Sequence, residues 1–107
     1  MYIYNVTANI DNAVHTEWLT WIKEHIPVVL ATGKFEKATL TRVLVEEEMG
    51  GVTYSVQYKS YSREALDAFY KEDAEKFRIE ALKKFADKML TFTTELQIID
   101  EYTVNFK

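Results

Sequence analysis

The sequence contains no cysteine, one proline and three glycines in 107 residues. Without cysteine there is no disulfide, no thiolate nucleophile and no Cys-based zinc or iron–sulfur site, and a reducing, cytoplasmic setting is expected. So little proline and glycine argues against disorder and against a loop-rich fold. No run approaches the about 18 apolar residues that a bilayer-spanning helix needs. The opening MYIYNVTANI lacks a basic region followed by an apolar stretch, so neither membrane anchor nor signal peptide is read. Basic charge is also short, with 13 Lys and Arg against 17 Asp and Glu and a net charge of −4. A nucleic-acid partner needs a concentrated basic surface, and none is visible. Lys83, Lys84 and Lys88 sit beside Glu80 and Asp87, which reads as a solvated helix end.

What is present is core material. Hydrophobic residues make up 48% and aromatic residues 14%. The length fits one domain over residues 1–107, and a domain this small gains from the further burial that dimerisation provides.

Period-two alternation over residues 2–10 sets Tyr2, Tyr4, Val6, Ala8 and Ile10 on one face, which predicts a half-buried strand. Asp11 or Asn12 then offers a helix cap. Val14, Trp18, Leu19, Trp21, Ile22 and Ile26 follow helical spacing over 12–26, and Pro27 predicts a break or kink before a further turn over 28–31. Strands are expected over 35–47 and 51–60, joined through Glu48-Met49-Gly50-Gly51, since paired glycines accept the positive φ of a hairpin turn. Ser60 or Ser62 starts a second helix that keeps its apolar spacing from Leu66 to Phe85, with Asp73 placed to cap a restart. A fourth strand over 89–99 is read with Leu90, Phe92, Leu96 and Ile98 facing the core. Tyr102, Val104 and Phe106 alternate as well, so residues 101–107 are expected as an extra, buried C-terminal strand.

The order βαββαβ specifies an α+β, ferredoxin-like fold: a four-stranded antiparallel sheet with two helices on one face. The other face is then expected to carry Asn5, Thr7, Asn9, Thr39, Thr41, Val43, Val45, Thr53, Ser55, Gln57, Thr91, Thr93, Glu95 and Gln97. Such a neutral, hydroxyl- and amide-bearing face suits partial dehydration, met most simply by packing on a second copy as a homodimer. A cavity between the two sheets would then be open to a small-molecule ligand. The plainer reading is strand propensity alone.

The segments YIYNVTANID, EWLTWIKEHIPVVLATGKF and GGVTYSVQY resemble a bacterial family of unknown function, over all but about the last eight residues. The resemblance implies a dimeric α+β barrel and assigns no activity. The wider superfamily includes cofactor-independent monooxygenases, haem-degrading enzymes and small isomerases, and no catalytic residue set carries over to this sequence.

The candidate chemistry is sparse. His15 and His25 stand about 15 Å apart along one helix and cannot share a metal. His15 is expected to be exposed, and His25, beside Glu24, is the better acid/base candidate. Arg42, between Leu40 and Leu44, aims a guanidinium toward the apolar side and calls for a carboxylate, a ligand anion or an exposed sheet end. Trp18, Trp21 and the tyrosines Tyr2, Tyr4, Tyr54, Tyr58, Tyr61, Tyr70 and Tyr102 are candidate lining for an aromatic pocket, with one tryptophan meeting a partner or a cavity mouth, though a core built of aromatics is the plainer reading. Glu46-Glu47-Glu48 alternate in direction along a strand and read as a charged hairpin tip rather than a metal site. There is no P-loop, no GxGxxG, no ribonucleoprotein aromatic motif, no Cys-x-x-Cys and no acylphosphatase-type anion cradle, since Asn9-Ile10-Asp11-Asn12 stands in its place. No cofactor and no metal are expected. The function that follows is a dimeric domain binding a small molecule or partner, or, as the alternative, a cofactor-independent monooxygenase or isomerase acting on a small aromatic substrate.

Overall fold

The computed structural model describes residues 1–45 and 50–104. Strands β1 (Tyr2–Ile10), β2 (Phe35–Arg42), β3 (Val52–Ser60) and β4 (Met89–Gln97) form one antiparallel sheet in the order β2-β3-β1-β4. Helix α1 (His15–Leu30) joins β1 to β2. Helix α2 (Arg63–Phe69), a π-helical turn (Tyr70–Ala74) and helix α3 (Glu75–Phe85) join β3 to β4. This is the expected ferredoxin-like order. Its core packs Trp18, Ile22, Leu66, Phe69, Phe77 and Phe85 from the helices on Ala8, Ile10, Tyr54, Val56 and Tyr58 from the sheet. The even-numbered residues of β1 and β3 therefore face the helices, as the alternation requires.

Short polar side chains start the helical segments. The Asp11 carboxylate accepts from the Ala13 N–H at 2.8 Å. The Ser62 hydroxyl accepts from the Ala65 N–H at 3.1 Å, so Ser62 rather than Ser60 caps α2. Ser60 is fully buried, and its hydroxyl donates to the carbonyls of Lys34 and Ser62.

The helices depart from expectation at two points. Pro27 lies inside α1, which runs unbroken to Leu30. Proline removes one backbone bond, but Val29 beyond it is 2% exposed, and its burial holds the final turn in place. Asp73 does not cap a restarted helix, because its carboxylate accepts from Lys34 Nζ at 2.9 Å. The interruption is taken up instead by the π turn over Tyr70–Ala74.

Strand β2 ends at Arg42, short of the expected residue 47. Val43 N–H still reaches the Thr53 carbonyl, but Val45 N–H then turns back to the Val43 carbonyl at 3.1 Å. That three-residue turn leads the chain out of the ladder. Gly50 and Gly51 both take positive φ, 80° and 82°. Glu46, Glu47, Glu48 and Met49 lie outside the described residues, and with them the expected acidic tip.

The larger correction concerns β4. Its ladder pairs Ile10 with Met89, Ala8 with Thr91, Val6 with Thr93 and Tyr4 with Glu95. Each pair joins an even-numbered residue to an odd-numbered one, so the odd residues of β4 share the helix-covered face. Leu90, Phe92 and Leu96 fall on the open face instead, 62%, 68% and 41% exposed. A one-residue change of register exchanges the faces of a strand, which accounts for the reversal.

Thr91, Thr93, Glu95 and Gln97, expected on the open face, therefore share the helix-facing phase, while the Asn, Thr and Ser residues of β1 and β3 on the open face bond to one another. Ser55 Oγ donates to Asn5 Oδ1 at 2.6 Å, Asn5 Nδ2 to Thr7 Oγ1 at 3.1 Å, and Asn9 Nδ2 to Thr53 Oγ1 at 3.1 Å.

The C-terminal segment forms no strand among the described residues. Ile98 N–H bonds the Met1 carbonyl, and there β1 has run out, leaving the chain without a strand to pair with. Tyr102 and Val104 are 88% and 75% exposed rather than buried, and Phe106 lies outside the described residues. Glu101 accepts from Lys59 Nζ at 3.1 Å and ties the tail to the open face of β3.

Candidate functional site: a cavity between sheet and helices

The two helical crossovers do not close completely over the sheet. A cavity of about 430 Å³ remains, floored by Tyr4, Val6, Val56 and Tyr58 and walled by Trp18, Trp21 and His25 from α1. Phe69, Tyr70 and Phe77 face these across the space, and Thr91 and Thr93 of the edge strand β4 complete it. Thr91, Thr93 and Leu82 are exposed, so the cavity opens on the β4 side. It lies beneath the helices, not on the neutral sheet face where a cavity was expected.

Helical spacing builds the α1 wall. Trp18, Ile22, His25 and Val29 follow one another at three- and four-residue steps and project toward the sheet. Trp18 is 1% exposed, and its Nε1–H is buried with no hydrogen-bond partner among the described residues. Trp21 is half-buried and stacks on His25, with ring centroids 4.4 Å apart and planes 14° from parallel. Phe77 meets the same imidazole edge-on at 5.0 Å, and Phe85 meets Trp21 edge-on at 5.3 Å. The two tryptophans are thus divided between core and cavity wall.

Burial sets the electrostatics of the cavity. Burial pushes the His25 pKa below its ordinary value, outweighing the opposite pull of the Glu80 carboxylate. Burial pushes the phenols of Tyr4 and Tyr58 upward, so both hydroxyls stay protonated. Neither hydroxyl, nor the His25 ring, has a hydrogen-bond partner among the described residues. At the rim, Tyr70 donates its hydroxyl to Glu95 at 2.6 Å, and Arg63 also holds Glu95, which keeps that carboxylate below its usual range. Arg78 is engaged by Glu75 through Nε at 2.9 Å.

The other candidates lie elsewhere. Arg42 pairs with Tyr54 in the ladder and so shares the helix-facing phase, yet it is exposed at the strand end and makes no ion pair among the described residues. A shallower hollow of about 280 Å³ is lined by Arg42, Val43, Gly51 and Thr53. Tyr54 packs on Trp18 at 5.0 Å, and its hydroxyl is 2.6 Å from His15 Nε2. His15 is therefore half-buried and hydrogen-bonded rather than exposed. Of the sequence candidates, Trp18, Trp21 and His25 come together at the cavity, while Arg42 and Tyr54 do not line it. Of the tyrosines read as possible pocket lining, Tyr4, Tyr58 and Tyr70 stand at the cavity, while Phe77, also there, was read only as part of the apolar helix face.

Among the described residues there is no cluster of three or more acidic or histidine side chains placed to hold a metal. No helix among them is long and apolar enough to cross a membrane.

Solved structures share the fold. A dimeric ferredoxin-like protein from an uncultured marine organism superposes with a TM-score of 0.70 at 17% identity, over 94% of this chain and 97% of that one. A protein of Arabidopsis thaliana gives 0.64 at 17% identity, over 99% and 100%. A candidate antibiotic biosynthesis monooxygenase of Deinococcus radiodurans gives 0.62 at 14% identity, also over 99% and 100%. At such identities the likeness is one of fold. No curated protein is significantly similar to the chain. A family match spans residues 1–99, nearly the whole chain, and by it the protein belongs to the family described as Domain of unknown function (DUF4286).

Proposed function

We propose that this protein is a homodimeric binding domain for a small, largely apolar molecule held in the cavity between sheet and helices. The observation that carries the reading is the cavity of about 430 Å³, whose lining includes the rings of Tyr4, Trp21, His25, Tyr58, Phe69 and Phe77. Aromatic and apolar side chains make up most of the wall, the usual make-up of a small-molecule pocket. Trp18, Trp21 and His25 serve this reading; Arg42 and Tyr54 do not enter it.

Dimerisation is supported by the open sheet face, where Leu90, Phe92 and Leu96 present large apolar side chains to solvent in a single protomer. The marine neighbour of the same fold is itself described as dimeric. A two-fold partner over this face covers those side chains and leaves the helical cavity on the outside of the pair.

The experiment is a thermal-shift screen with flavins, haem, quinols and aromatic acids, repeated with Ala81→Phe, which fills the cavity wall. Stabilisation of the parent chain that disappears in a folded Ala81→Phe variant supports the reading. Stabilisation that persists in the variant places binding elsewhere and overturns it.

A second reading is favoured by His25 alone. An imidazole without a hydrogen-bond partner among the described residues, its pKa lowered by burial at the cavity wall, is suited to accept a proton from a bound aromatic substrate. Turnover of such a substrate lost in His25→Ala, with binding retained, would convert the binding domain into a cofactor-independent enzyme.

A further inference from the structure

The two edges of the sheet differ in how they are guarded. Strand β2 carries Glu36, Lys37 and Arg42, and its register shifts between Phe35 and Lys37. Charges and a bulge on an edge strand discourage pairing with another chain. Strand β4, MLTFTTELQ, has an unbroken ladder to β1, and Glu95 is its one charged residue. Every residue of β4 after Met89 is exposed, so no helix or loop among the described residues lies over its outer edge. Alternate N–H and C=O groups of an edge strand point outward without a ladder partner.

The tail that follows β4 has the make-up of a strand. Tyr102, Thr103, Val104 and Phe106 are strand-favouring types, and Tyr102 and Val104 are left in solvent by a single protomer. The tail does not fold back on its own β4. Ile98 N–H bonds the Met1 carbonyl, and Glu101 accepts from Lys59 Nζ, which carries the chain across β1 toward β3 and away from the free edge. Lys59 has the open-face phase, so the tail leaves the protomer on the side where Leu90, Phe92 and Leu96 await a second copy.

We propose that in the homodimer the C-terminal tail of each protomer adds as a fifth strand to the free outer edge of β4 in its partner. The inference rests on the dimer reading above and goes beyond it. Residues 101–107 span about 23 Å when extended, whereas stacked sheets lie about 10 Å apart, so the tail is long enough to cross. The added strand gives β4 the ladder partner it lacks and takes Tyr102 and Val104 out of solvent. The cavity opens beside β4, at Thr91 and Thr93, so the partner's tail also lies at the rim of the site.

The test is amide hydrogen exchange on full-length chains. An isotope-labelled Thr103→Pro/Val104→Pro variant cannot pair its own tail in either phase, because proline has no N–H to donate. Both positions lie in the exposed tail, outside the core, so the variant keeps its fold. It is unfolded and refolded with an excess of unlabelled parent, so that each labelled chain meets an intact tail. The outward amides of its β4 are expected to exchange at least about tenfold more slowly in this mixture than in the variant alone, the effect of one net hydrogen bond. Slow exchange in the parent that the mixture does not restore shows a tail folded on its own edge, and overturns the proposal. Fast exchange in the parent, or slow exchange in the variant alone, shows that the tail does not cover β4 and overturns it too. In those cases a dimer in sedimentation leaves the dimer reading standing; a monomeric parent removes both.

Discussion

The rings of Trp21 and His25 lie face to face, 4.4 Å between centroids, and together form part of one wall of the cavity. That contact and the edge of Phe77 keep the imidazole from water, and its pKa is held below the ordinary 6.5. The folded state thus prefers neutral His25, whereas the unfolded chain takes up a proton near 6.5. The stability this contributes is fully present above pH 6.5 and is lost as pH falls through the lower folded-state value. Thermal midpoints measured from about pH 8 down to about pH 5 should therefore fall, and His25→Phe should flatten that slope. An identical slope in the variant would show that His25 is not the group responsible.

Two backbone positions make opposite predictions. Gly51 has φ of 82°, and a Cβ there would stand 2.8 Å from the Ile10 carbonyl oxygen. Ala86, between α3 and β4, has φ of 47° without being glycine. Gly51→Ala should destabilise by more than about 1 kcal/mol, and Ala86→Gly should stabilise by up to about 1 kcal/mol. Urea unfolding of both variants checks the pair; a stabilising Gly51→Ala would contradict the contact with β1.

Phe92 is 68% exposed at the middle of β4 on the open sheet face. Phe92→Glu should shift the protein from dimer to monomer in sedimentation or light scattering at micromolar concentration, with its far-ultraviolet circular dichroism unchanged. A charge placed in an apolar interface is costly on both copies at once. A parent chain that is already monomeric, or a variant that stays dimeric, would remove this face as the interface.

Leu66, on the inner face of α2, is fully buried. Leu66→Ala should cost about 2–5 kcal/mol, measured by chemical denaturation, because the cavity created adds to the lost transfer energy. A loss below about 1 kcal/mol would mean that the surrounding rings collapse into the space.

Much of the architecture was legible because it follows from local periodicity. The alternation of Tyr2 to Ile10 and of Val52 to Tyr58, and the spacing from Leu66 to Phe85, each fix a face within one element. The misread features depend on relations between elements. Leu90 and Phe92 look like core residues within β4 taken alone; only pairing with β1 turns them outward. Pro27 reads as a break or kink until Val29 is seen buried beyond it in an unbroken helix. The cavity was hidden for the same reason. Its lining comes from both helical crossovers and three strands, and no sequence pattern states where packed elements leave a gap. His25 and Trp21 were noticed as residue types, but their stacking arises from one helical turn seen against Phe77.

The π turn at Tyr70–Ala74 behaves as one surplus residue spliced into a long helix. Because the wide turn absorbs the extra residue, removing one there would restore ordinary winding and leave Phe77 and Phe85 on the sheet. The same deletion inside α3 would turn every later residue of the helix by about 100° and take Phe85 out of the core. The segment is thus the one stretch of the second crossover whose length can change by a residue without dismantling the wall beyond it.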